Sequence, residues 1–508
     1  MSSADTQTFG KWREKIWPFH GYELKKMLPL ILMKFLVSLN YGLLTCLKDT
    51  VVVTAKNGGG AEVITVLKGY VVLPVAIIMT ILYSKFSNMV KRTTLFYTFI
   101  GGFLAVIFLL GFVLYPNLEL FSPHATADKL SSMVDVRFAS WIAAFRNWIQ
   151  TVIFVTAELW GSMVILLMFW GFVNHISTMK EAKKSYTIYI AAGDFAAILM
   201  GPITAILYRT MGNMDFAYTV QAICGLALII GAMIIGIYWW TNRNVLTDPR
   251  LFDQSKRDSK VKVKKKKPSM WESFKIIAKS KYLFHIAILV IAYGLSISIV
   301  EITWKAHLKL YYPNPAGYQN MMGMVFSLVG TTSLIISLFF CGNMIRKLGW
   351  HYVAQISPYV LGVTGLMFFL VVIYKEPLTP IFMKFGMKPI VFIVMFGAFQ
   401  NVVCKVMKYS FFDPTKEMAY IPLSDEEKVK GKASIDVVGS RLGKSGSSWI
   451  QSGLIASVGM GSILGTTSYL LPIVLLTAIG WSYSVKKLND YFHEKDNEEK
   501  LVQGSAAL

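Results

Sequence analysis

Runs of about twenty apolar residues, the length that spans a hydrocarbon core, recur along this chain with short polar breaks between them. They predict helices at 27–49, 61–85, 92–115, 138–174, 183–211 and 215–241, then at 280–309, 318–346, 350–374, 381–408, 430–457 and 464–487. A soluble domain has no use for so many spans, so the pattern reads as an all-α membrane protein of about 12 transmembrane helices.

The two sets of six echo each other. Ser87-Asn88-Met89-Val90-Lys91-Arg92 stands between the second and third helices of the first set, and Gly342-Asn343-Met344-Ile345-Arg346-Lys347 stands at the same place in the second. A weaker match follows, with Lys184 nine residues before Gly193 and Lys430 nine before Gly439. Equal placement in both halves predicts two six-helix bundles related by pseudo-two-fold symmetry around a midplane cavity, as in the major facilitator architecture. The implied organisation is an N-terminal segment 1–26, a bundle 27–241, a basic linker 242–279, a second bundle 280–487 and a tail 488–508. The closing Gly504-Ser505-Ala506-Ala507-Leu508 resembles a cloning remnant and carries no functional weight.

Composition agrees: 54% of the chain is hydrophobic and only 16% charged, well below the soluble norm. The net charge of +22 suggests nucleic acid until its placement is considered. The densest run, Lys256 to Lys267, falls in the mid-chain break, and loops on the same side carry Lys85, Lys91, Arg92, Lys180, Lys183, Lys184, Arg346, Lys347, Lys428 and Lys430. Loops on the other side hold mainly Lys56, Lys129, Arg209, Lys375, Lys384 and Lys388. That asymmetry puts both termini in the cytoplasm and makes membrane lipid, not nucleic acid, the partner of the basic surface. The leader before Met27 is basic and lacks a small-residue cleavage pattern, so no cleaved signal peptide is expected. Cys46, Cys224, Cys341 and Cys404 sit in or beside apolar runs, and His20, His124, His175, His285, His307, His351 and His493 are scattered. Neither set has metal-ligand spacing, and no metal or cofactor is expected.

Charges inside the spans are the informative residues, because each costs roughly 2.5–3.5 kcal/mol at a helix centre unless it faces a cavity or a partner. They are Lys34, Lys48, Asp49, Glu62, Lys68, Arg146, Glu158 and Asp194 in the first half and Glu301, Lys305, Lys405, Asp436, Arg441 and Lys444 in the second. Cations exceed anions, so a polyanion is expected to complete the balance. Phosphate suits it, with Lys48, Lys68, Arg441, Lys444 and Lys432 as ligands. Lys34, Lys405 and Arg146 have the simpler reading of snorkelling or pairing with helix ends. Asp49, Glu62, Glu158, Asp194, Glu301, Lys305 and Asp436 either hold the cations between substrates or bind a coupling proton, and Glu301 and Lys305 stand one helical turn apart. Trp160, Trp170, Tyr186 and Tyr189 are the candidates for stacking a base, although packing accounts for most membrane aromatics.

Gly439-Ser440-Arg441-Leu442-Gly443-Lys444-Ser445 imitates a P-loop, but only three residues separate its glycines where the motif has four, and no strand precedes it. On a membrane helix the same residues serve close packing and an anion path.

Longer motifs then narrow the reading. Leu47-Lys48-Asp49-Thr50-Val51-Val52-Val53-Thr54-Ala55, followed by Gly60-Ala61-Glu62 and Leu67-Lys68, resembles the opening of the ATP/ADP translocases of obligate intracellular bacteria and plastids. Ala157-Glu158-Leu159-Trp160-Gly161-Ser162, Phe169-Trp170-Gly171-Phe172, Glu301-Ile302-Thr303-Trp304-Lys305, the run from Phe412 to Leu423 and the run from Gly431 to Gly446 match in order, with details that look chlamydial. The resemblance implies a bacterial inner-membrane antiporter, not an enzyme, that exchanges ATP for ADP, with or without phosphate, and works as a monomer. It also implies transport roles for Lys68, Glu158, Glu301 and a lysine of the segment from Lys432 to Lys444. A proton-coupled importer of several nucleotides is the alternative, and a polytopic membrane transferase a remote one.

Overall fold

The computed structural model describes residues 21–248, 251–252, 275, 277–421, 423, 425–459 and 461–505, so the Lys256 to Lys267 run and most of the basic leader lie outside the described residues. Eleven of the described helices are long and apolar enough to cross a membrane. They are α1 (Gly21–Val53), α2 (Ala61–Met89), α3 (Arg92–Phe121), α4 (Trp148–Ile176), α5 (Ser185–Met211), α6 (Phe216–Asn244), α7 (Lys281–Tyr311), α8 (Pro315–Cys341), α9 (Asn343–Ile373), α10 (Pro389–Met418) and α12 (Leu464–Tyr491). The twelfth, α11 (Asp425–Ser457), has 33 residues and so about 50 Å of length, but too many Lys and Ser residues to qualify by composition. It packs against α7: a Cβ on Gly294 would lie 2.8 Å from the Gly443 Cα, so the two backbones meet at their glycines. Small residues let helices approach where lipid supplies no driving force between them.

The helix ends follow local chemistry. The Asp215 and Asn314 side chains accept from the amides of Ala217 at 2.8 Å and Ala316 at 2.9 Å, capping α6 and α8. Thr178 and Glu181 form a capping box at the start of the helix that leads into α5. The matched motifs between the second and third helices of each half break at different points. In the first half the helix stops at Met89, inside the motif, whereas in the second the motif is helical throughout and the chain turns at Gly349 (φ 80°), within the range given as α9. The expected single run 138–174 is also interrupted, at Asn147, and α1 is already helical at Gly21, the first described residue, ahead of the expected 27. Lys26 is therefore no part of a free leader. Its ammonium donates to the carbonyls of Ile176 (2.7 Å) and Leu251 (3.1 Å) and pairs with Glu181 (2.8 Å).

The two sets of six helices meet along α2 with α11 and α5 with α8. Ser452 Oγ donates to Thr65 Oγ1 at 2.9 Å, Trp449 Nε1 to the Gly69 carbonyl at 3.1 Å, and Ser327 Oγ to the Ile198 carbonyl at 2.6 Å. At the end distal from the termini, Glu62 accepts from Ser462 Oγ (3.2 Å) and the Ile463 amide (3.1 Å), and Lys309 donates to the Gly59 carbonyl. Toward the termini the sets part. The stretch Leu73–Met89 of α2 has no buried residue, and Leu338, Phe339 and Phe340 of α8 are exposed. The bundle is thus closed at the distal end and open at the end that carries residue 21.

Candidate functional site: a charge network between the halves

Lys48 and Asp49 are neighbours on α1, so their side chains leave the helix about 100° apart. Lys48 turns into its own half and pairs with Glu158 of α4 at 2.8 Å, while remaining 3.3 Å from Asp49. Asp49 turns across and accepts from Lys305 of α7 at 2.8 Å. Lys305 also lies 3.2 Å from Glu301 one turn earlier, and Glu301 pairs with Lys405 of α10 at 3.1 Å. The result is a continuous row, Glu158–Lys48–Asp49–Lys305–Glu301–Lys405, in which three carboxylates and three ammoniums alternate and cancel. Its middle is sealed, with the Lys48, Asp49 and Lys305 side chains 4%, 2% and 1% exposed, while Glu158, Glu301 and Lys405 are partly exposed, at 20%, 14% and 22%. Among the described residues, Asp49–Lys305 is the one ion pair joining the halves.

The row repeats with its signs exchanged. In the first half a lysine on the first helix meets a glutamate on the fourth, and in the second half a glutamate on the first helix meets a lysine on the fourth. The partners stand 110 and 104 residues apart. A tryptophan locks the same helix pair in each half: Trp160 Nε1 donates to the Val37 carbonyl at 3.1 Å and Trp304 Nε1 to the Val394 carbonyl at 2.9 Å. The sequence leaves Lys405 open between snorkelling or pairing with a helix end and facing a partner, and the structure gives it Glu301 as partner. Its counterpart relation to Glu158 was the available signal.

Two further lysines face the row without an ion pair among the described residues. Lys68 sits in the π-helical stretch Leu67–Val72 of α2, an insertion that re-aims side chains, and lies within electrostatic reach of Glu301, Lys305, Lys48 and Glu158. Lys444 of α11 reaches Glu158 in the same way. The six-residue row being neutral, these two are the local surplus of positive charge among the described side chains.

Other candidates lie elsewhere. Lys432 pairs with Glu417 at 2.5 Å, twelve positions and about 18 Å along α11 from Lys444. Glu62 closes the distal loop instead of joining the row. Asp194 faces Lys34 near α8, and Lys34 stands fourteen positions, about 21 Å, from Lys48 on α1. Arg146 pairs with Asp128 in the distal loop region. The side chains of Arg441 and Asp436 lie outside the described residues, although the backbone of both is helical.

The four aromatics expected to stack a base do not line this site. Trp160 is fully buried against Phe103. Tyr189, also fully buried, donates its hydroxyl to Met27 Sδ at 3.4 Å and packs with Trp170 and Tyr186 in a cluster at the open end, where Tyr186 bonds Asn174. Periodicity could not tell this packing from a binding face. A different aromatic group flanks the row on its open side. The Lys408 ammonium lies 4.5 Å from the Tyr409 ring centre and 5.9 Å from that of Tyr293, and Tyr293 stacks on Phe412 at 5.2 Å. Tyr41 of α1 is within electrostatic reach of both Tyr409 and Glu158. Lys408 and Tyr409 had no place in the sequence inventory, though Lys405 and Lys408 are spaced as one helix face.

Comparison with known proteins places this geometry. The chain matches the TLC ATP/ADP transporter family over residues 2–492. It is 40% identical to ADP,ATP carrier protein 1 of Chlamydia trachomatis, covering 100% of this chain and 96% of the relative. It is 40% identical to the chloroplastic ADP,ATP carrier protein 1 of Arabidopsis thaliana (96% and 77%) and 36% identical to ADP,ATP carrier protein 1 of Rickettsia bellii (98% and 100%). Among solved structures it is similar in fold to the nucleoside transporter NupG, at a TM-score of 0.55 and 12% identity, covering 91% of this chain and 99% of that one. The xylose transporter XylE from E. coli in a partially occluded inward-open conformation gives 0.53 and 13% (91% and 97%). The fold is that of major-facilitator-like transporters, two six-helix bundles related by pseudo-two-fold symmetry, and these relatives are carriers, not enzymes. With the match running from end to end of the membrane portion, the chain belongs to the TLC ATP/ADP transporter family.

Proposed function

We propose that this protein exchanges ATP for ADP across a bacterial inner membrane by alternating access, with the bundles 27–241 and 280–487 rocking about the charge row. The observation that carries the reading is a neutral row of six charges where the halves meet, flanked by Lys68 and Lys444, whose charge nothing among the described residues pairs. Nucleotide phosphates enter from the open end and bind Lys68 and Lys444, joined by Arg441 from the same helix as Lys444. Lys405, at one exposed end of the row, leaves Glu301 for a phosphate oxygen, while Glu158 at the other end keeps Lys48. The purine lies among Tyr41, Tyr293 and Tyr409. One chain holds a complete site, so a monomer suffices.

Exchange is obligatory on this reading because burying two unpaired ammoniums is strongly unfavourable, and bound phosphate removes that cost. The open end is the cytoplasmic one, since its loops carry Lys85, Lys91, Arg92, Arg346 and Lys347. The test is counter-exchange in proteoliposomes. Labelled ATP should enter vesicles loaded with ADP or ATP and not empty ones. Equal uptake into empty vesicles overturns the proposal, and uptake driven by an imposed proton gradient, with GTP and CTP competing as well as ATP, would replace it with a proton-coupled general importer.

A further inference from the structure

A cleft of about 550 Å³ opens at the distal end of the second bundle, away from the charge row, and no residue of the row lines it. Its lining is mostly apolar, with Leu310 of α7, Val372 and Ile373 of α9 and Ile390 and Ile393 of α10, and His307, Thr467 and Ser468 add polar atoms. Its rim carries Lys375, Lys388 and Glu376, all exposed. The rim continues into the short helix Lys375–Lys384, where Ile381 and Met383 are 50% and 58% exposed, with Phe385 just beyond at 73%. Apolar side chains bared beside lysines mark an element that lies in the membrane interface. The rim is therefore at headgroup depth and the lining at the level of the glycerol and upper acyl chain.

From this arrangement we propose that the cleft is a binding site for a phospholipid with a phosphoethanolamine headgroup. The rim offers groups of both signs, as that zwitterionic headgroup does. Lys375 and Lys388 supply two ammoniums for one phosphate, Glu376 supplies a carboxylate for one primary ammonium, and the mostly apolar lining takes the glycerol end. A phosphocholine lipid presents a quaternary ammonium with no N–H to give Glu376, and a phosphoglycerol lipid presents no cation at all.

The full chain, purified in a mild detergent and given equal amounts of the three lipids with identical acyl chains, tests this by native mass spectrometry. The phosphoethanolamine lipid should be retained about tenfold over either competitor, the value of one charge-assisted contact. Glu376→Gln should erase its advantage over the phosphoglycerol lipid, and Lys375→Gln with Lys388→Gln should lower retention of both. All three residues are exposed, so the variants should melt as the parent does, and nucleotide binding measured on the same samples should be unchanged. Preferred retention of the phosphoglycerol lipid, equal retention of all three, or variants that bind as the parent does would each overturn the assignment.

Discussion

Replacing Asp49 with asparagine keeps the side-chain shape and removes the charge on which the contact between the halves depends. The carboxylate holds Lys305 at 2.8 Å and Lys48 at 3.3 Å, and none of the three side chains is more than 4% exposed. In Asp49→Asn, Lys48 keeps Glu158 and Lys305 keeps Glu301, but the row gains one uncompensated positive charge. Breaking a buried pair by removing one partner costs about 3–5 kcal/mol. That cost falls on the distally closed state, since opening the distal end lets water reach both lysines. At about 1.4 kcal/mol per tenfold, the equilibrium should move toward distal opening by roughly a hundredfold or more. Spin labels at Lys56→Cys and Val458→Cys, on loops of opposite halves at the distal end, read this as a new long-distance population in pulsed electron resonance; the four native cysteines are buried. The double variant Asp49→Asn/Lys305→Gln leaves two balanced pairs, Lys48–Glu158 and Glu301–Lys405, and should restore the short distance. An unchanged distance distribution in the single variant, or the same opening in the double, would refute the reasoning.

Lys68→Gln and Lys444→Gln should each weaken ATP binding by about ten- to a hundredfold, the value of roughly 1.5–3 kcal/mol for a contact to a charged group. Calorimetry at an unaltered melting temperature checks this, and full affinity in both variants removes those lysines from the site. Tyr409→Ala should narrow the preference for ATP over CTP in competition assays, whereas Trp170→Phe should leave it alone; the reverse outcome would restore the original aromatic assignment. Gly294→Ala forces a methyl group to within 2.8 Å of the Gly443 backbone, and the overpacking cost of about 1–3 kcal/mol should exceed the helix propensity gained, at most about 1 kcal/mol. Thermal unfolding should come earlier, and an unchanged transition would mean that α7 and α11 do not meet there.

The sequence by itself determined the number and rough limits of the spans, the doubling of the six-helix unit and the inventory of charges lipid will not tolerate. Each of these follows from local composition, because a backbone in hydrocarbon must close its hydrogen bonds within the helix and a stranded charge is costly. Even α11, too polar to count as a span alone, is marked by its small residues as a helix packed among others. Only the tertiary structure decided which face of each helix looks inward, because lipid and neighbouring helix are equally apolar and periodicity carries no azimuth. That is why Trp160 and Tyr189 read as well for stacking as for packing, and why Lys432 could not be told from Lys444 on the same helix. It is also why Lys48 and Asp49, adjacent in sequence, serve opposite sides of the interface: one residue of helical rotation sends the first into its own bundle and the second across to Lys305.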